Sequence, residues 1–262
     1  MQDGFVATAH GRLHYLRTGQ KGPPLVLMHS NGASAYEYEH VIDTLGRSNR
    51  VFAWDMPGHG DSEPIARHYT IDDYADAAAA FIAALDLPRA TFLGSSVGGS
   101  ICLSLGQRHG DRLESLVIVE TPTRSAAEWE KMWGTIEEIF GIATQSAEAV
   151  APRLRSLTPA LLRRWNIDRN KAGAKLMTDV VWAVREFNAC AALSAVSTRS
   201  LVIFGETGPV MDGKANFERL MPTAPIRVVK GCGHFPMIDD PEQFCAIVTD
   251  FLNGEGRSTS PA

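Results

Sequence analysis

Ser96 lies in Gly94-Ser95-Ser96-Val97-Gly98, directly after the apolar run Ala90-Thr91-Phe92-Leu93 and directly before a stretch with helical periodicity. A serine hydroxyl is a weak nucleophile at neutral pH and needs a base, a fixed orientation and donors for the oxyanion it creates. A sharp turn between a strand and a helix supplies the orientation and aims the first N–H groups of the helix at the reacting carbon. The glycines on either side suit a strained turn with close backbone approach. The chemistry to expect of such a serine is acyl transfer.

The base that fits is His234, in Gly231-Cys232-Gly233-His234-Phe235-Pro236, because glycines before it leave its ring free to reach a nucleophile and its pKa suits proton shuttling. Val97 N–H is the expected first oxyanion donor and Asn31 N–H, in the loop after Leu25-Val26-Leu27-Met28, the second. His29 ends that same run and reads as structural, its ring bonded to nearby backbone. Four cysteines, Cys102, Cys190, Cys232 and Cys245, have no metal-ligand spacing and read as packing residues. No metal or other cofactor is called for.

These residues need a frame. The 262 residues, 45% of them hydrophobic, suit one large α/β domain with an insertion. Twenty-five basic against thirty acidic residues give a net charge of −5 without a basic stripe, which argues against nucleic acid as a partner. No leader-like start and no apolar run of spanning length are visible, so the expectation is a cytoplasmic protein with no membrane partner. Oligomeric state is not legible.

Short apolar runs at 13–17, 25–28, 51–54, 91–93, 116–119, 201–204 and 226–229 alternate with helical patterns at 71–85, 97–109 and 241–252. That alternation predicts a mostly parallel central sheet with helices on both faces. From 123 to 196 no strand pattern appears, and four of the five tryptophans fall there. The spacing Trp129, Met132/Trp133, Ile136, Ile139/Phe140 is helical. The expected organisation is a core of 1–122 and 197–253, a helical cap of 123–196 over the sheet, and a disordered tail of 254–262. Trp133, Trp182, Met132 and Phe187 of the cap, with Phe235, are the expected substrate contacts.

Four segments carry a resemblance: Met28-His29-Ser30-Asn31-Gly32, Trp54-Asp55-Met56-Pro57-Gly58-His59-Gly60-Asp61-Ser62, Gly94-Ser95-Ser96-Val97-Gly98-Gly99 and Gly231-Cys232-Gly233-His234-Phe235-Pro236. In this order the chain resembles the α/β-hydrolase superfamily over nearly its full length. The resemblance implies the α/β-hydrolase fold, and implies that Asp55 and His59 belong to a structural turn. Two departures stand out. Ser30 follows His29 where such families often have glycine. Gly208, in Gly205-Glu206-Thr207-Gly208-Pro209, stands where the triad aspartate usually follows the strand.

A triad needs an anion to hold the histidine. Glu120, Asp212 and Glu206 are the candidates. Glu120 is favoured: it ends the apolar run Leu116-Val117-Ile118-Val119, at the carboxyl end of a core strand, where a carboxylate needs a partner. Its placement, followed by Thr121-Pro122-Thr123, is similar to that in the zearalenone lactonases. Some haloalkane dehalogenases also carry a glutamate there and an asparagine like Asn31, but their aspartate nucleophile is replaced here by Ser96. The reading is a carboxylic ester hydrolase, an esterase or lactonase, that cleaves a hydrophobic, uncharged small molecule through an acyl-enzyme on Ser96, His234 and Glu120. A C–C bond hydrolase or thioesterase on the same triad, or a slow-turnover receptor of the same fold, are the alternatives.

Overall fold

The computed structural model describes residues 1–254; of the tail expected at 254–262, all but Gly254 lies outside the described residues. One sheet is built from β1 (Gln2–Thr8), β2 (Gly11–Thr18), β3 (Pro24–Met28), β4 (Arg50–Trp54), β5 (Ala90–Ser95), β6 (Leu113–Val119), β7 (Ser200–Gly205) and β8 (Ile226–Val229). Their order is β1-β2-β4-β3-β5-β6-β7-β8. The pairings β1–β2 and β2–β4 are antiparallel and the rest are parallel. This is the expected mostly parallel sheet, with one strand more than the apolar runs indicate. β1 alternates exposed and half-buried residues at the sheet edge, so it has no apolar run to betray it.

The central strands are apolar throughout because both faces are covered. Successive residues feed two cores, the second of which includes Ile42 and Leu45 of the short helix α1 (Ile42–Leu45). Val26, Phe92, Ile118 and Phe204 pack on one face with α2 (Ile71–Ala84) and α3 (Val97–Arg108). Leu27, Leu93, Val119 and Ile203 pack on the other with Phe244, Val248 and Phe251 from the helix Pro241–Leu252. Thr70 and Asp73 form a reciprocal capping box at the start of α2.

Between β6 and β7 the described chain is helical: α4 (Ala126–Phe140), α5 (Ala147–Val150), α6 (Pro159–Ala172), α7 (Ala174–Glu186) and α8 (Ala189–Ala195). Among the described residues no helix is long and apolar enough to cross a membrane.

The strand order decides where the chemistry lies. The chain runs from β3 outward to β4, then crosses back to β5 on the other side of β3. Ligands bind outside the carboxyl ends of strands at such a reversal. The residues following β3, β5, β6, β7 and β8, which are consecutive neighbours in the sheet, include Asn31, Ser96, Glu120, Gly208 and His234.

Candidate active site

Ser96 is the residue between β5 and α3, with φ 56° and ψ −114°. Among the described non-glycine residues φ is positive at Ser96, Glu120 and Asp86. Asp86 lies in the turn after α2; the other two follow the adjacent parallel strands β5 and β6. Such backbone costs on the order of 1–3 kcal/mol and persists where the surroundings impose it. Here the elbow is imposed by packing: a Cβ at Gly98 would lie 2.3 Å from Met28 O, so α3 can approach β3 only with glycine there. Val97 is the first residue of α3, so its N–H has no acceptor within the helix.

Glu120 is fully buried. Its Oε1 accepts from Gly205 N–H at 2.7 Å and its Oε2 lies 3.0 Å from His234 Nδ1. A Cβ on Gly208 would sit 2.1 Å from Glu120 Oε1 and 2.4 Å from Oε2. The carboxylate of Glu120 thus fills the space that a side chain at 208 would need, and the two placements of an acid exclude one another. Glu206 instead accepts from Gly231 N–H at 2.8 Å on the surface, and Asp212 lies in the short 3₁₀ turn Met211–Gly213. Among the described residues the carboxylate that pairs with His234 is that of Glu120. His234 is itself anchored, its N–H donating to Arg153 O at 2.9 Å and its ring meeting Phe235 edge-on at 4.8 Å.

His29 is held on both nitrogens: Nδ1 bonds Ser30 O at 2.7 Å and Nε2 accepts from Met56 N–H at 3.0 Å. Burial pushes its pKa down, so it stays neutral. Asn31 is pinned from two sides. Its Nδ2 donates to Met177 O of α7 at 2.8 Å, and its Oδ1 lies 3.3 Å from His59 Nε2. Burial takes His59 down to about 3, so this ring too is neutral. Asp55 is engaged by His14 Nδ1 at 2.7 Å and by Ala35 and Asp61 N–H groups. His14, Asp55 and Asp61 are the one cluster among the described residues whose ligand atoms fall within 4.8 Å, and these bonds already occupy both Asp55 oxygens.

Ser96 and His234 line a common cavity of about 140 Å³, together with Asn31 and Val97. A cavity of roughly that size accommodates a benzene ring. Its walls are Trp129, Met132, Ile136 and Phe140 of α4, Val181 and Val184 of α7, and the arginines Arg124 and Arg153. Of the expected substrate contacts only Met132 is on this wall. Trp133 lies one residue, and about 100°, around α4 from Met132, where its ring meets that of Trp182 at 4.2 Å, tilted by 51°, under the Arg185 guanidinium. Phe187, at the end of α7, packs against the core. Phe235 lines a second cavity, on the other side of the 30–33 loop. Trp129 has the helical spacing that could have revealed it. Arg153 lies in the 3₁₀ turn Ala151–Arg153, where no periodicity operates.

That second cavity contains an unexpected acid. Glu37 Oε2 accepts from Ser30 N–H at 3.0 Å and from the Ser30 hydroxyl, while Oε1 has no partner. The departure at Ser30 therefore has a partner seven residues on. Burial chiefly, with a smaller contribution from nearby Asp168, pushes Glu37 up to about 7 against the opposing hydrogen bonds of Ser30. Asp168, which accepts from Ser34 Oγ at 2.9 Å, rises by burial to about 6. An acid whose pKa is raised by folding holds its proton more tightly in the native state. Stability is then lost as pH rises from the unfolded value near 4.5 through about 7. Glu37→Gln keeps an acceptor for Ser30 and removes this loss. Its stability advantage over the wild type should grow by about 3 kcal/mol between pH 4.5 and 8, at about 1.4 kcal/mol per pKa unit. Urea unfolding at both pH values measures it, and an unchanged difference would show that Glu37 titrates normally.

The geometry agrees with what the chain is similar to. Residues 23–145 match the sequence profile of the family described as alpha/beta hydrolase fold. The chain has the α/β-hydrolase fold. It is 27% identical over 246 residues to the 2-hydroxymuconate semialdehyde hydrolase of Pseudomonas sp. (strain CF600), covering 88% of this chain and 87% of that protein. It is 27% identical over 242 residues to a pimeloyl-[acyl-carrier protein] methyl ester esterase of Neisseria meningitidis serogroup A / serotype 4A (strain DSM 15465 / Z2491), covering 87% and 76%. A solved N-acyl homoserine lactone degrading enzyme superposes with a TM-score of 0.76 over 95% of this chain and all of that one, at 24% identity. The proteins it is similar to in sequence or in fold thus include a semialdehyde hydrolase, a methyl ester esterase and a lactone-degrading enzyme, and none of them fixes the substrate here.

Proposed function

We propose that the protein is a serine hydrolase that cleaves a carboxylic ester or lactone through an acyl-enzyme. The observation that supports this most is the buried Glu120–His234 pair at 3.0 Å beside the cavity that His234 shares with Ser96. Ser96 Oγ attacks the carbonyl and His234 takes its proton. Glu120 accepts from His234 Nδ1–H, which leaves Nε2 free to serve Ser96 and offsets the charge of the imidazolium. The N–H groups of Val97 and Asn31 hold the oxyanion. His234 then returns the proton to the leaving alcohol and activates the water that releases the acid. A lactone leaves its alcohol tethered to the acyl group, so water must compete with ring closure.

In this reading the helices of 123–196 form a cap whose α4 and α7 faces fit the substrate. Turnover on a panel of esters, lactones and a vinylogous 1,5-diketone acid tests it. Multiple turnovers of esters are expected; one stable adduct per chain and no further product would favour a receptor, and turnover confined to the diketone a C–C hydrolase. Trp129→Ala should change the preference between a phenylacetate and an acetate ester of one alcohol by about tenfold or more. Trp182→Ala, outside the cavity, should shift that preference less than about twofold, and the reverse ranking would place the substrate on the outer face of the cap.

A further inference from the structure

Two guanidinium groups on the wall of the Ser96 cavity do not fit an uncharged substrate. Arg124 donates from Nη2 to Pro209 O at 2.9 Å, lies over the Trp129 ring at 5.5 Å, and keeps a buried Nε without a partner. Arg153 is half-buried, between the Phe140 and Trp165 rings at 5.8 Å from each. Among the described residues no carboxylate pairs with Arg153 and no acceptor takes a hydrogen bond from its guanidinium. Its own charge is felt by a neighbouring cation, Arg169, whose pKa is pushed down chiefly by burial and further by Arg153. No aspartate or glutamate lines this cavity.

A cation drawn partly out of water without a counter-ion is costly, and proteins pair such groups or supply the partner from a ligand. Burial alone pulls the Arg153 pKa down to about 10, which still leaves it charged at neutral pH. Nor is its position accidental. Arg153 O accepts the His234 N–H, and two residues on Arg155 donates to Lys230 O at 2.8 Å and Gly231 O at 3.0 Å. The turn bearing Arg153 is therefore tied, by one backbone bond and by the Arg155 guanidinium, to the loop bearing His234. Whatever the guanidinium binds is set in register with His234.

We infer that the cavity contains an anion subsite, built on Arg153 with Arg124 beside it, that binds a carboxylate carried by the substrate away from its scissile carbonyl. The substrate class is then a compact monoanionic ester or lactone, such as a half-ester of a dicarboxylic acid. The apolar walls of α4 and α7 cover the chain between its two ends. A planar guanidinium with free N–H groups matches a carboxylate in two parallel hydrogen bonds, and the absence of a competing acid lets the substrate supply the charge. This rests on the ester-hydrolase reading for turnover but not for binding, and the test separates the two.

For turnover, mono-4-nitrophenyl glutarate is compared with 4-nitrophenyl pentanoate, which has a similar shape without the charge. The wild type should favour the glutarate by at least about tenfold in kcat/KM, mostly through KM. Arg153→Met should lower that ratio by about a hundredfold, and Arg153→Lys should restore part of it. For binding, monobenzyl glutarate and benzyl pentanoate are titrated calorimetrically into the Ser96→Ala variant, which needs no catalysis. The glutarate should bind at least about tenfold more tightly, and the margin should vanish in the Ser96→Ala/Arg153→Met variant. Tighter binding without wild-type turnover of either ester would overturn the ester-hydrolase reading and support the subsite. Equal binding of the two esters, or equal losses on both when Arg153 is replaced, would overturn the subsite.

Discussion

Ser96→Ala should abolish turnover of 4-nitrophenyl esters, with kcat falling by about four to six orders of magnitude, the scale seen when a triad loses its nucleophile. At about 1.4 kcal/mol per factor of ten this corresponds to roughly 5–8 kcal/mol of barrier. The fold should be untouched. Ser96 makes its structural contribution through the backbone, with its N–H on Val119 O at 2.8 Å and its carbonyl accepting from Gly99 and Ser100 N–H. Alanine tolerates φ 56° no worse than serine, because both carry one Cβ. The thermal midpoint should therefore stay within a degree or two while activity vanishes. A fluorophosphonate probe should label the wild type at one equivalent per chain and leave the variant unlabelled. Labelling of the variant at wild-type stoichiometry would move the nucleophile elsewhere.

Ser96 and His234 were legible because each lies in a loop whose geometry is dictated locally. A glycine on either side of an elbow serine, or two glycines just before a histidine, mean the same thing in any tertiary setting. Glu120 was legible for a different reason: an apolar run that ends in a carboxylate leaves a buried charge that has to be answered. The absence at Gly208 was half of the same signal. What the sequence alone does not contain is the second half, that the Glu120 carboxylate lies where a Cβ of residue 208 would be. The inserted helices show the opposite case. Periodicity correctly indicates that α4 is amphipathic, yet Met132 and Trp133 are adjacent and both bulky, so the pattern leaves the phase of the helix open by one residue. In the structure Trp129 and Met132 line the cavity, while Trp133 packs beside it against Trp182. Arg153 and Glu37 lie in 3₁₀ turns, where neither period applies, and their partners depend on which loops the sheet brings together. β1 was missed because an edge strand with one wet face needs no apolar run.

Glu120→Gln should lower kcat by about two to four orders of magnitude, the loss expected when the anion that orients and charges the histidine is removed. The glutamine keeps the shape of the side chain and an acceptor for Gly205 N–H, so the loss reports the charge and the tautomer rather than a collapsed loop. Asp212→Ala and Glu206→Ala should each cost less than about tenfold. Glu206 is spent on Gly231 N–H, and Asp212 is exposed in the 3₁₀ turn Met211–Gly213. A reciprocal experiment uses the space shared by the two positions. Gly208→Asp alone should destabilise the protein, because its Cβ would meet the Glu120 oxygens at 2.1 and 2.4 Å. With Glu120→Ala that space is empty, and the double variant Glu120→Ala/Gly208→Asp should recover at least about tenfold of the activity lost by Glu120→Ala alone. Recovery would mean that the histidine requires an anion and that either strand end can supply it. If Glu120→Gln stays active while Asp212→Ala is dead, the acid comes from the loop after β7, and the carboxylate 3.0 Å from His234 Nδ1 is only a structural partner of the ring.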